Sequence, residues 1–137
     1  MTTITQPQPR TKTMPHAVAA FLVPLLSGTA YLLFLPWDLR NRPASPGVID
    51  ETTPVTATGV VGLTVVLLLL AAYLGRTGHP ALAVPLVAAP PAALLLASFV
   101  THPEQDAAAW PVAWVFFSAL LAGGALVAAK MGARWRR

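Results

Sequence analysis

The sequence predicts an all-α integral membrane protein, an antiparallel four-helix transmembrane bundle with both termini in the cytoplasm. Three observations predict it. Four long apolar runs carry no formal charge. The chain is 55% hydrophobic and only 10% charged, where a water-soluble domain carries about a quarter. The charges also alternate across the runs. All five acids (Asp38, Asp50, Glu51, Glu104, Asp106) fall in the first and third gaps, while seven of nine bases fall in the two tails and the second gap. Retention of Lys and Arg on the cytoplasmic side produces this pattern, and only Arg40 and Arg42 lie outside.

Residues 1–15 hold Thr, Gln and Pro with two bases and no apolar period, which reads as a disordered cytoplasmic tail. The spans are expected over about 17–35, 55–74, 80–100 and 107–129, each 19 to 23 residues long. At 1.5 Å per residue each reaches about 28–35 Å, enough for a hydrocarbon core of about 30 Å. A signal-peptide reading competes for the first run: Arg10 and Lys12, an apolar stretch, then Gly28-x-Ala30 ahead of a cleavage point. Tyr31 to Trp37 continues apolar and aromatic, which favours an uncleaved span.

The 36–54 segment is the largest outer loop, punctuated by Pro43, Pro46 and Pro54 and too short for a core of its own. Thr53-Pro54 has the form of an N-cap followed by proline at the first helical position. His79-Pro80 and His102-Pro103 repeat it, which sets Glu104 and Asp106 in the positive first turn of the fourth helix. Gly75 stands where a left-handed C-cap would close the second helix. Trp37 and Trp110 mark the outer interface, Tyr73 and Trp135 the inner one. The 130–137 segment is a basic cytoplasmic tail in which Lys130, Arg134, Arg136 and Arg137 anchor to lipid headgroups.

The third span holds the most unusual local pattern, Pro85 followed by Pro90-Pro91. Each interior proline removes the donor for the carbonyl four residues earlier, here those of Ala81, Leu86 and Val87. An unpaired carbonyl in hydrocarbon costs several kcal/mol, so these groups must face protein or water. Pro24 acts likewise on Ala20, close to the hydroxyls of Ser27 and Thr29. Pro85, Pro90, Pro91, Ser27 and Thr29 therefore form a candidate midplane site, of the kind that broken helices build in transporters. The competing reading is a packing kink.

In the fourth span Ala108, Pro111, Val115, Ser118, Ala122, Ala125 and Ala129 recur at spacings of three and four. Such a line of small residues lets another helix approach closely. Ser118, Ala122, Ala125 and Ala129 are its candidate packing or partner seam. Trp110, Trp114, Phe117 and Leu121 form a bulky stripe expected toward lipid or a partner. Gly59 and Gly62 with Thr58 give the second helix a similar small face.

Evidence for chemistry is thin. No cysteine is present, which excludes disulfides and thiolate metal sites. No phosphate-binding glycine loop, nucleophile elbow or H-E-x-x-H helix occurs. Seven Ser and Thr side chains lie in the spans without a base beside them. His16 and His79 both fall at inner helix ends, so paired haem ligation is a geometric option. His102, Glu104 and Asp106 with Asp38, Asp50 and Glu51 are an unpatterned set of oxygen and imidazole donors. No catalytic, cofactor or metal site is assigned, and the basic residues read as headgroup anchors rather than a nucleic-acid surface. The Ala-, Pro-, Val- and Arg-rich composition reads as that of a GC-rich bacterial genome. The first span lacks the membrane-embedded glutamate of small multidrug transporters, and the polar signature of fluoride channels is absent.

The expectation is a non-catalytic accessory or interaction subunit of the cell membrane, in contact with lipid and with a second copy or another membrane subunit. The alternatives are a small transporter or channel at the Pro90-Pro91 break, and an enzyme acting at the outer face through His102, Glu104 and Asp106.

Overall fold

The computed structural model describes residues 15–103 and 109–137. Expectations for residues 1–14, for Glu104 and Asp106 and for Ala108 lie outside that range. Among the described residues the chain forms α1 (His16–Phe34), strands β1 (Arg42–Pro43) and β2 (Glu51–Thr52), and α2 (Ala57–Arg76). A third span then runs from Pro80 to Thr101, followed by α4 (Trp110–Arg134). The four helical segments are 19, 20, 22 and 25 residues long and apolar enough to cross a membrane. Phe21, Leu33, Leu69 and Val112 stand on their exposed faces, where lipid rather than water is the compatible solvent.

The helix ends differ instructively from the sequence reading. Thr53-Pro54 does not start α2. Thr56 is its N-cap, with Oγ1 accepting from the Gly59 N–H at 3.0 Å, while Thr53 Oγ1 accepts from the Val55 N–H. Thr56 prevails because its cap bond reaches an N–H three residues on, which satisfies an orphan donor of the first turn. Gly75 is not the left-handed cap either. Gly78 takes that conformation at φ +90°, with the Gly78 N–H on Gly75 O and the His79 N–H on Leu74 O. Those two bonds make a Schellman closure. Gly75 remains helical and buried. His102 caps the end of the third span rather than the start of α4, its N–H bonding Ser98 O. α4 then runs on through Lys130 to Arg134, so much of the basic tail is helical.

The outer loop of the sequence reading contains a minimal antiparallel hairpin pairing Arg42 with Thr52 and Pro43 with Glu51. Gly47 at φ +84° supplies its turn. Asp38 is held by Arg40, whose Nε and Nη2 donate at 2.9 and 2.8 Å, and Arg42 stands 3.5 Å away. The hydrogen bonds from Arg40 keep the Asp38 carboxyl well below the usual carboxylate range.

The core runs through all four segments: Val23, Ala30 and Tyr31 of α1; Leu63, Leu67, Ala71 and Leu74 of α2; Val87, Ala88 and Leu95 of the third span; Ala125, Ala128 and Ala129 of α4. α1 is unbroken through Ala30 and Tyr31, both buried. α2 and α4 meet most extensively. Their closest approach is glycine-dependent: a Cβ on Gly75 would strike the Ala129 carbonyl, and one on Gly132 the Ala72 carbonyl. Backbones this close gain dispersion and weak Cα–H···O contacts.

Candidate functional site

The third span is continuous but not uniformly α-helical. It opens with a short 3₁₀ turn (Pro80–Leu82), passes through a π segment (Val84–Ala88), then becomes α3 (Ala89–Thr101). In the π segment the Ala89 N–H reaches back to Val84 O. The wider turn lies directly ahead of Pro90 and Pro91, and the helix continues through them unsplit. The Val87 carbonyl, which Pro91 deprives of its α-helical donor, receives the Ser27 hydroxyl at 2.6 Å. Both Ser27 and Val87 are fully buried.

The five residues of the candidate midplane site do not all converge. Ser27 and Pro91 face the interior, Pro90 lies half-buried beside α1 at Gly28, and Pro85 and Thr29 are exposed. Two further polar bonds tie the third span to its neighbours. Ser98 Oγ donates to Trp37 O at 2.6 Å, and the Trp114 indole N–H donates to Ala92 O at 2.9 Å.

Trp114 therefore corrects the expectation of a stripe facing lipid or a partner. An indole N–H in an apolar medium needs an acceptor, and α3 offers one, so Trp114 turns inward. Leu121 packs on the core with it, Trp110 lies against Phe99 at 6.3 Å, and Phe117 stays about half exposed. The small seam divides at its middle. Ala125 and Ala129 are buried, whereas Ser118 and Ala122 are half-buried. Gly59 and Gly62 face Phe34 of α1.

Above the tight crossing α2 and α4 diverge around a half-open cavity of about 540 Å³. Its floor is Tyr31, Val87, Ala88, Pro91 and Leu95; its walls include Leu63 and Leu67 of α2 and Leu121 and Gly124 of α4. The rim bears the exposed side chains Val60, Leu68, Phe117 and Leu120. Among the described residues nothing titratable lines it except Tyr31, whose buried hydroxyl has no hydrogen-bond partner there. Such a surface can bind an apolar body; among the described residues its lining holds the hydroxyls of Tyr31 and Thr64 and no carboxylate, imidazole or amine. Sequence reading missed this groove, although the bulky residues of its walls and the small residues below it were both visible.

At the opposite end of α2 from Thr56, the His16 and His79 rings meet with Nε2 atoms 2.7 Å apart and centroids 3.9 Å apart. This contact corrects the haem option, because axial ligands stand on opposite faces of a macrocycle and these rings leave no gap for one. Among the described residues no group of three or more His, Asp or Glu side chains could hold a metal ion. Lys130, Arg134 and Arg137 are exposed, and the Arg136 guanidinium lies over Gly78. No protein-family model, characterised protein or solved structure matches this chain.

Proposed function

We propose that this is a non-catalytic accessory subunit of the cell membrane, an antiparallel four-helix bundle with both termini cytoplasmic. Its α2–α4 groove receives an apolar helix of another membrane subunit. The groove carries the reading: small and flat lining side chains (Ala88, Pro91, Gly124, Ala125) are set between large exposed ones at its rim (Val60, Leu68, Phe117, Leu120). Holes flanked by knobs suit a helix that presents its own side chains in register. The distribution of bases supports the topology, since His16, Arg76 and Arg134 mark helix ends on the acid-free side. The basic end of α4 would bind the anionic leaflet at about 1 kcal/mol per base.

A photoreactive residue placed at Gly124 or Leu120 in whole membranes tests the reading, with Leu33, 77% exposed on α1, as the control position. One discrete protein adduct from the groove positions and none from Leu33 is the expected result. Adduct mass distinguishes a second copy from a different subunit. Lipid adducts alone from all three positions would retire the proposal.

A second reading, a small transporter, is favoured by one observation: the groove floor includes Val87, Ala88 and Pro91 of the span that holds the π segment. Solute flux in proteoliposomes that is abolished in Pro90→Ala/Pro91→Ala would promote it over the subunit reading. The absence of any Asp, Glu, Lys, Arg or His within the apolar runs 17–35, 55–74, 80–100 and 107–129 weighs against ion-coupled transport.

A further inference from the structure

We propose that His16 and His79 form a two-imidazole site for a borderline transition-metal ion such as Zn²⁺, Ni²⁺ or Cu²⁺, at the end of the molecule that holds α4's C-terminus. The two residues lie 63 positions apart, one opening α1 and the other following the Schellman closure of α2, yet their Nε2 atoms meet at 2.7 Å. A bare contact between two ring nitrogens has two chemical readings, one shared proton or one shared metal ion.

The surroundings of His79 leave it able to serve as a ligand. Thr77 Oγ1 donates its proton to Leu74 O at 3.1 Å, so toward His79 Nδ1, 3.4 Å away, it acts as acceptor. His79 then carries its proton on Nδ1 and presents a lone pair at Nε2. An imidazole whose far nitrogen donates to an oxygen, fixing tautomer and ring orientation, is the usual second layer of a metal-ligating histidine. Geometry is close to what an ion requires. Two nitrogens about 2.0–2.1 Å from a tetrahedral centre stand about 3.3 Å apart, so the pair must open by about 0.6 Å. His16 is exposed, so a turn of its side chain is the way the pair would open.

Donor chemistry sets the class of ion. Imidazole nitrogens suit Zn²⁺, Ni²⁺ and Cu²⁺, whereas Mg²⁺ and Ca²⁺ require several oxygens. The segments at this end of the chain contain bases and no acid. Water or a small anion would therefore complete the coordination, and an anion would also offset the Arg136 charge over Gly78. Two protein ligands leave open positions, the condition for an exchangeable rather than a structural ion.

The test uses the full chain, purified in detergent without a polyhistidine tag and titrated with Cu²⁺. Electron paramagnetic resonance at one equivalent should show coupling to two nitrogens, and a large excess of Zn²⁺ should displace the signal. His16→Gln and His79→Gln should each weaken binding at least tenfold, and Thr77→Val several-fold by releasing the tautomer. His102→Gln at the far end should bind as the wild type does. Circular dichroism confirms that each variant keeps its helices. Cu²⁺ binding unchanged in His16→Gln/His79→Gln, or a bound spectrum without nitrogen coupling, overturns the proposal and leaves a proton-sharing pair in its place.

Discussion

Ser27→Ala isolates the interaction that most clearly links this sequence to its fold. Pro91 removes the donor that the Val87 carbonyl would have in an α-helix, and the Ser27 hydroxyl replaces it at 2.6 Å in a fully buried position. Removing the hydroxyl leaves a buried acceptor without its donor, which costs about 1–3 kcal/mol in water-soluble cores. Interhelical hydrogen bonds within bilayers average about 0.6 and reach about 1.7 kcal/mol, because the unfolded chain in lipid also finds partners. Burial places Ser27 near the top of that second range, so the expected loss is about 1–2 kcal/mol. The decisive measurement is a double-mutant cycle with Pro91→Ala, which returns an N–H to the position four residues after Val87. In that background Ser27→Ala should cost under about 0.5 kcal/mol, giving a coupling of about 1 kcal/mol. Reversible unfolding in mixed detergent micelles reads both arms, and Thr29→Ala, exposed on the same helix, should stay within about 0.5 kcal/mol of wild type. Equal costs for Ser27→Ala with and without Pro91 would refute the compensation argument.

Other perturbations follow from the same geometry. Gly132→Val sets a branched side chain against the Ala72 carbonyl at the α2–α4 crossing; helix separation should cost about 1–3 kcal/mol by overpacking and lower the thermal midpoint in detergent. Gly123→Val, with open space around its Cβ, should be nearly neutral in the same assay. Trp114→Phe keeps most of the ring but deletes the donor to Ala92 O, for an expected loss of about 0.5–1.5 kcal/mol in chemical unfolding. Asp38 is depressed by the hydrogen bonds from Arg40, so its contribution is complete above the ordinary carboxylate pKa of about 3.9 and fades as pH falls below it. Nuclear magnetic resonance titration of the carboxyl should show this, with the midpoint returning toward about 3.9 in Arg40→Gln.

The spans were legible because charge and length are local properties. A run of uncharged residues near twenty long is visible without knowing its neighbours, and all four runs are helical in the structure. The helix ends were less legible. Gly75 and Gly78 both follow the apolar stretch of the second helix, and composition alone favours the nearer one as its cap. Gly75 is instead committed to the approach of Ala129, a contact made by a residue 54 positions later, so the left-handed turn passes to Gly78. The partner of the Val87 carbonyl has the same non-local origin. Prolines announce lost bonds, but the donor that replaces one of them, Ser27, comes from a segment 60 positions away. The His16–His79 contact likewise joins residues far apart in sequence, and only their shared end of the chain was visible beforehand.

The groove follows from a gradient of side-chain size that runs along both helices of the closest pair. Toward the α4 C-terminus, α2 presents Ala71, Ala72 and Gly75 while α4 presents Ala125, Ala128, Ala129 and Gly132. Toward the other end the same faces carry Leu63 and Leu67 opposite Phe117, Leu120 and Leu121. Helices that nearly touch where residues are small must diverge where residues are large. A third segment could fill the wedge, but along the floor the third span places the short Ala88 and Pro91 between Val87 and Leu95. Lengthening the floor is therefore a sharper perturbation than trimming a wall. Ala88→Leu should occupy the groove from below without touching the Gly75–Ala129 approach, and it should abolish the discrete protein adduct formed from Leu120 while leaving the α2–α4 crossing intact. An undiminished adduct in Ala88→Leu would mean that whatever contacts Leu120 rides on the rim alone, and the wedge would then be a packing consequence with no occupant.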